Sequence, residues 1–233
     1  MKNSRTSNVV RNMWVGTFFQ VLSLILGFVS RTIFIKILGS EYLGINSLFT
    51  NILTILSFAE LGVGNAIIFS MYKPLANNNI IKLKQLINFY KKTYITIGLF
   101  IVCAGIIIIP FIPSIISEVP DIKESIYLIY ILFLTDTAIS YFFSYKTSII
   151  SADQKNYIIV MYTYIFRICQ IVLQLVFLYF TKEYLLYLIL QVINTFLTNL
   201  YLSKKAKKMY PYLNELKGNQ LSKKEKTKIF GNV

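Results

Sequence analysis

Six long apolar runs dominate this 233-residue chain, and they set the solvent in which it can fold. A helix needs roughly 20 apolar residues to cross the hydrocarbon core of a bilayer. On that measure the sequence predicts spans over about 13–38, 43–70, 93–116, 125–146, 157–180 and 184–203. Runs such as Ile106 to Ile109 are continuous rather than alternating. They therefore fit helices, not the roughly 10-residue alternating strands of a membrane barrel. Charged residues make up only 15% of the chain, against about 25% in soluble domains. The expected fold class is an all-α integral membrane protein.

The charges that remain lie between the apolar runs. One set of connections carries Lys2, Arg5 and Arg11, then Lys73, Lys82, Lys84, Lys91 and Lys92, then Lys146 and Lys155, and finally the segment from Lys204 to Lys228. The opposite set has only Lys36, Lys123 and Lys182, and holds Glu41, Glu118, Asp121, Glu124 and Glu183. Positive residues mark the cytoplasmic side, so both termini are expected in the cytoplasm of a multi-pass plasma-membrane protein. The net charge of +14 is spread over connections rather than gathered on one soluble face. It points to anionic lipid headgroups as partners and away from nucleic acid. Residues 1–203 form the expected transmembrane unit, and 204–233 a basic cytoplasmic tail or linker broken by Pro211 and Gly218.

Within 71–92, Ile80, Ile81, Leu83, Leu86, Ile87 and Phe89 predict a short amphipathic helix lying on the membrane surface. Tyr72, Tyr90, Tyr145, Tyr157, Tyr201 and Trp14 are placed for one interfacial aromatic belt, and Tyr42, Tyr127, Tyr179 and Tyr184 for the other. Cys103 and Cys169 lie in apolar runs and read as small buried hydrophobes. The first apolar run is too long for a cleavable signal peptide and is read as a span.

Charges inside spans are costly and point to function or to a structural pair. Four stand out. Arg31 either snorkels to the outer headgroups or faces an aqueous cavity that attracts an anionic group. Glu60 lies roughly 15 Å from the inner end of its span at 1.5 Å per residue, before Gly62, Gly64 and Asn65, which permit a helix break. There it either exchanges a proton or makes a structural hydrogen bond to a neighbouring helix. Asp136 and Arg167 fall near the midplane, roughly 18 Å and 15 Å from their respective interfaces. They are candidates for a mutual ion pair or for the lining of a path, beside the polar stripe of Thr135, Thr137, Ser140, Gln170 and Gln174. With no histidine, zinc-ligand cluster, phosphate loop or nucleophile elbow, the sequence suggests no enzyme, cofactor or metal.

Several motifs, taken in order, carry a resemblance. They are Leu38-Gly39-Ser40-Glu41-Tyr42-Leu43-Gly44, then Phe58-Ala59-Glu60-Leu61-Gly62-Val63-Gly64-Asn65-Ala66, then Tyr72-Lys73-Pro74-Leu75-Ala76. Asn88-Phe89-Tyr90-Lys91-Lys92, Ser140-Tyr141-Phe142, Tyr145-Lys146, Ser151-Ala152-Asp153-Gln154-Lys155 and Tyr210-Pro211 follow. Together they resemble the oligosaccharide flippases of Gram-positive polysaccharide pathways, within the multidrug/oligosaccharidyl-lipid/polysaccharide exporter superfamily.

The resemblance implies a six-helix lobe of a two-lobed flippase that moves undecaprenyl-pyrophosphate-linked oligosaccharide from the cytoplasmic to the outer leaflet. The chain matches the N-terminal half, so a missing or separate C-terminal lobe is an implied partner. Arg31 sits in a Gly-Phe-x-x-Arg pattern similar to one in the lipid II flippases, which implies a substrate-binding role. Cavity arginines, Arg31 and Arg167, would counter the pyrophosphate. The alternatives are an ion-coupled multidrug antiporter half, using Glu60 or Asp136 as coupling carboxylate, and a non-transporting membrane scaffold.

Overall fold

The computed structural model describes residues 5–60, 62–116, 120–214 and 221–230; Lys2, Leu61, Glu118 and Gly218 lie outside them. The described residues form helices and turns, with no strand among them. The main elements are α1 (Arg5–Leu38), α2 (Ser40–Ser57), α3 (Val63–Ala76), α4 (Ile80–Ile108), α5 (Ile112–Ile115), α6 (Ile126–Phe143), α7 (Ser148–Ala152), α8 (Asn156–Thr181), α9 (Tyr184–Met209) and α10 (Lys223–Phe230).

Among the described residues six stretches are long and apolar enough to cross a membrane: Val9–Leu38, Ser40–Glu60, Ile80–Ile115, Ile126–Lys146, Asn156–Thr181 and Tyr184–Met209. In the first of these only Ser30 and Phe34 are buried within the protein. Phe28, Ile81 and Phe180 are each at least 74% exposed. So broad an apolar exterior suits lipid and not water, and the chain is a multi-pass membrane protein. Cys103 and Cys169 are free thiols on this exterior rather than inside. In lipid, an apolar side chain gains little by turning inward, so composition alone does not sort it.

The helices form a ring. α1 packs on α8, α8 on α9, α9 on α6 and α6 on α4, while α2 joins α1 to α4 and α6. Phe19 stacks on Tyr164 at 5.3 Å, and the Tyr164 hydroxyl donates to Gln20 Oε1 at 3.0 Å, both across the α1–α8 seam. Gly98 sits where α4 meets α6: a Cβ there would lie 3.1 Å from Tyr141 Cβ. Close approach of this kind is what brings helices together in lipid.

Two features differ from the sequence expectation. The run 43–70 is interrupted: after α2 a tight turn over Phe58–Glu60 leads to Gly62, whose φ of 80° is left-handed, and α3 restarts at Val63. Left-handed backbone is cheap for glycine alone. The residues from Ile80 to Lys92 also form no separate surface helix. Asn79 caps α4 by accepting from the Lys82 backbone N–H at 2.9 Å, and α4 then runs unbroken to Ile108. Leu83, Leu86 and Ile87 are at most 2% exposed, facing the protein core, while Ile80 and Ile81 face outward. Their amphipathic pattern reflects packing against protein.

The tyrosines divide likewise. Trp14, Tyr72, Tyr127, Tyr179 and Tyr201 are exposed, but Tyr42, Tyr90, Tyr145 and Tyr184 are buried and belong to the core, not to a belt. At the lysine-rich end α9 continues to Met209, and Tyr210, Leu213, Leu221 and Ile229 are buried. α10 packs on α3, and Lys82 pairs with Glu225.

Candidate functional site

Two adjoining polar chambers lie inside the ring. The larger is a cavity of about 800 Å3 bounded by α1, α2, α6, α8 and α9. α1 contributes Arg31 one turn after Gly27, with Ser30 between them, and α8 contributes Thr163, Arg167, Gln170 and Gln174. α9 supplies Gln191, Asn194, Thr195, Thr198 and Asn199, an i, i+3, i+4, i+7, i+8 set that shares one helix face. Asn46, Ser47, Thr50 and Asn51 come from α2, and Asp136 from α6. The lining is therefore rich in primary amides, with two guanidinium groups and one carboxylate.

Asp136 and Arg167 share this cavity without forming an ion pair. Gln191 Nε2 donates to Asp136 Oδ2 at 2.9 Å, while Asp136 Oδ1 is buried and has no hydrogen-bond partner. Asn194 Nδ2 donates to Gln170 Oε1 at 2.8 Å. Among the described residues neither Arg31 nor Arg167 has an acidic partner, and both side chains are exposed to the cavity. At the acidic end of the bundle the space between α1, α2 and α9 is filled by Phe34, Tyr42, Tyr184 and Tyr187. Their ring centroids lie 5.0–6.2 Å apart where they touch. Gln174, 2% exposed, donates to the Tyr187 backbone carbonyl at 2.8 Å and fixes this cluster to α8.

The smaller chamber, about 520 Å3, is lined by Ser57 and Glu60 at the end of α2, Tyr90 and Tyr94 of α4, and Asp136, Thr137, Ser140 and Tyr141 of α6. The Tyr94 hydroxyl donates to Glu60 Oε1. Asp136, Thr147, Thr195 and Asn199 line both chambers, so Asp136 stands between them. Glu60 meets α4 at Tyr94. Tyr94 lies only three residues beyond Lys91 on α4, about 4.5 Å along the axis. The α3–α4 hairpin carries the chain well past this level before turning at Asn77–Asn79.

The lysine-rich end is held by a second set of contacts. Asn12 accepts from the Tyr157 backbone N–H at 2.7 Å and donates to the Gln154 carbonyl at 2.9 Å. Arg11 lies 4.2 Å from the centre of the Tyr157 ring. Tyr210 donates to Asp153 Oδ2 at 2.7 Å; burial, then the Asp153 carboxylate, pushes the Tyr210 hydroxyl pKa up. The same two causes push Tyr212 up to about 12.

Sequence reasoning selected Arg31, Glu60, Asp136 and Arg167. Three of them line the arginine cavity, and Glu60 lines its neighbour. The expected polar stripe divides: Gln170 and Gln174 face the larger chamber, Thr137 and Ser140 the smaller, and Thr135 neither. The polar face of α9 was missed, although its helical spacing is written in the sequence. Tyr94 and Tyr141, the groups around Glu60, carried no such signal. No family model, curated relative or solved structure matches the chain.

Proposed function

We propose that this chain is a lobe of a membrane transporter for an anionic lipid-linked oligosaccharide, of the undecaprenyl-pyrophosphate class. The observation that carries the reading is the cavity itself. Two arginines without acidic partners face about 800 Å3 of polar space in a membrane protein. Leaving a cation unpaired there is costly unless an anion occupies the space at some stage. The planar fork of arginine suits pyrophosphate oxygens through paired, charge-assisted hydrogen bonds. The amides of α8 and α9 offer donors and acceptors to sugar hydroxyls.

In this reading the lysine-rich end faces the cytoplasm, and the aromatic cluster of Phe34, Tyr42, Tyr184 and Tyr187 closes the opposite side. Substrate enters from the cytoplasmic leaflet, and rocking against a second lobe opens the outer side. The motif resemblance supports the same substrate class.

The test is export in cells lacking their own oligosaccharide flippase, with the gene for this protein supplied in trans. Wild type restores surface polysaccharide, and the Arg31→Ala/Arg167→Ala double variant, present in the membrane at equal level, does not. Full export by that variant would sink the reading. Expulsion of a cationic dye without any effect on polysaccharide would replace it with the antiporter alternative.

A further inference from the structure

Carboxylates are scarce at the lysine-rich end, and those described there are already engaged. Asp153 pairs with Lys155, Glu225 with Lys82, and Glu60 accepts from Tyr94. Three further lysines gather at one point. Lys91 comes from α4, Lys146 from the turn Ser144–Lys146 that follows α6, and Lys207 from the last turn of α9. α4 and α9 both pack on that turn. The buried Tyr145 ring holds two of the three heads: Lys91 Nζ lies 5.6 Å and Lys146 Nζ 5.2 Å from its centre. The charges acting on Lys146 are those of Lys207 and Lys91, both of its own sign. All three lysines are half-buried, whereas their neighbours Lys92, Lys204 and Lys208 are exposed.

Like charges held together repel, and partial burial screens them less than open water does. Lysines that only reach for the membrane surface are free to spread, each head in water. We propose that Lys91, Lys146 and Lys207 form a binding site for a dianionic phosphate group, a phosphate monoester or free phosphate, beside Tyr145. Each ammonium offers three donors and no acceptor, and lysine binds phosphate as a point charge. A phosphate monoester brings about −1.5 to −2 charges and three acceptor oxygens, which offset most of the three cations. The phosphodiester of an ordinary anionic lipid brings a single negative charge and leaves the lysines largely opposed. Selection by charge per phosphate sets this site apart from the general attraction of basic segments to an anionic leaflet. It is also separate from the arginine cavity, because none of the three lysines lines either chamber.

The inference does not rest on the transport reading and is tested without oligosaccharide. The purified full chain is exposed to equimolar phosphatidic acid, a monoester, and phosphatidylglycerol, a diester, and the retained lipid is read by native mass spectrometry. Phosphatidic acid should be held at least about tenfold more tightly. That preference should vanish in Lys91→Gln/Lys146→Gln/Lys207→Gln. It should persist in Lys92→Gln/Lys204→Gln/Lys208→Gln, which removes the same charge from the exposed neighbours. Calorimetric titration with inorganic phosphate, on the chain in phosphatidylcholine nanodiscs, separates the two sources. Phosphate binding that the first triple variant loses assigns the site to free phosphate; retention of phosphatidic acid alone assigns it to a lipid. The proposal is overturned by equal retention of the two lipids with no phosphate binding, or by a folded first variant that binds as wild type does. If that variant does not fold, the wild-type comparison decides: equal retention without phosphate binding overturns the site.

Discussion

The two chambers share a wall but treat charge in opposite ways. In the arginine cavity the cations have no acidic partner among the described residues, while the amides are partly locked to one another, as in Asn194 to Gln170. In the Glu60 chamber the glutamate is engaged, its Oε1 accepting from the Tyr94 hydroxyl beside the helix break. An unpartnered charge adds nothing to the fold, and a caged one does. The difference separates residues kept for a ligand from residues that also hold the protein together.

That contrast can be broken in a defined order. The largest effect is expected in Arg31→Ala/Arg167→Ala. Each hydrogen bond to a charged group contributes about 1.5–3 kcal/mol, so affinity for undecaprenyl pyrophosphate, read by binding to the purified protein, should fall at least about 100-fold. The unfolding midpoint should stay where it is, because neither guanidinium has an acidic partner among the described residues. A large drop in stability would show that the arginines are structural.

Tyr94→Phe should do the reverse. It should destabilise by about 1.5–3 kcal/mol in denaturant unfolding and leave pyrophosphate affinity unchanged. Gln191→Leu removes the donor to Asp136 Oδ2 and should cost about 1–3 kcal/mol; equal stability with wild type would mean that Asp136 finds another partner at once.

The smallest effect belongs to the lysine-rich end. Hydrogen bonding from Lys82 and the Ser222 backbone holds Glu225 below the usual carboxylate range. A carboxylate with a depressed folded value stabilises above its unfolded value and loses that contribution as pH falls through the folded one. The pair is partly exposed, so screening limits it to about 0.2–1 kcal/mol. Glu225→Gln should abolish that acid-side slope in unfolding curves, and added salt should flatten it in wild type.

The sequence made the six apolar spans and the four intramembrane charges legible because both are local signals, a run length and a forbidden residue. It did not reveal how those charges are distributed. Asp136 and Arg167 look like an ion pair when only depth is counted, yet Gln191, 55 residues from Asp136, takes the place of the arginine. Pairing depends on which faces meet, and that is set by the ring order of the helices. Gly62 and Gly64 signalled a break, but its consequence lay in Tyr94 and Tyr141, which belong to other helices. The segment from Ile80 to Ile87 shows the same limit. An amphipathic stripe has one signature whether its apolar side meets lipid or protein, and only the α3–α4 hairpin decides.

Trp14 is the single tryptophan of the chain, and it projects from the outer face of α1, 74% exposed. The cavity-lining residues Gly27, Ser30, Arg31 and Phe34 belong to the same helix. Intrinsic fluorescence from this protein therefore comes from one known point on its lipid surface. Quenching by brominated acyl chains would gauge how deep that end of α1 sits. A ligand that fills the chamber without shifting α1 would be optically silent, so an emission change on adding substrate would register movement of the helix, not occupancy.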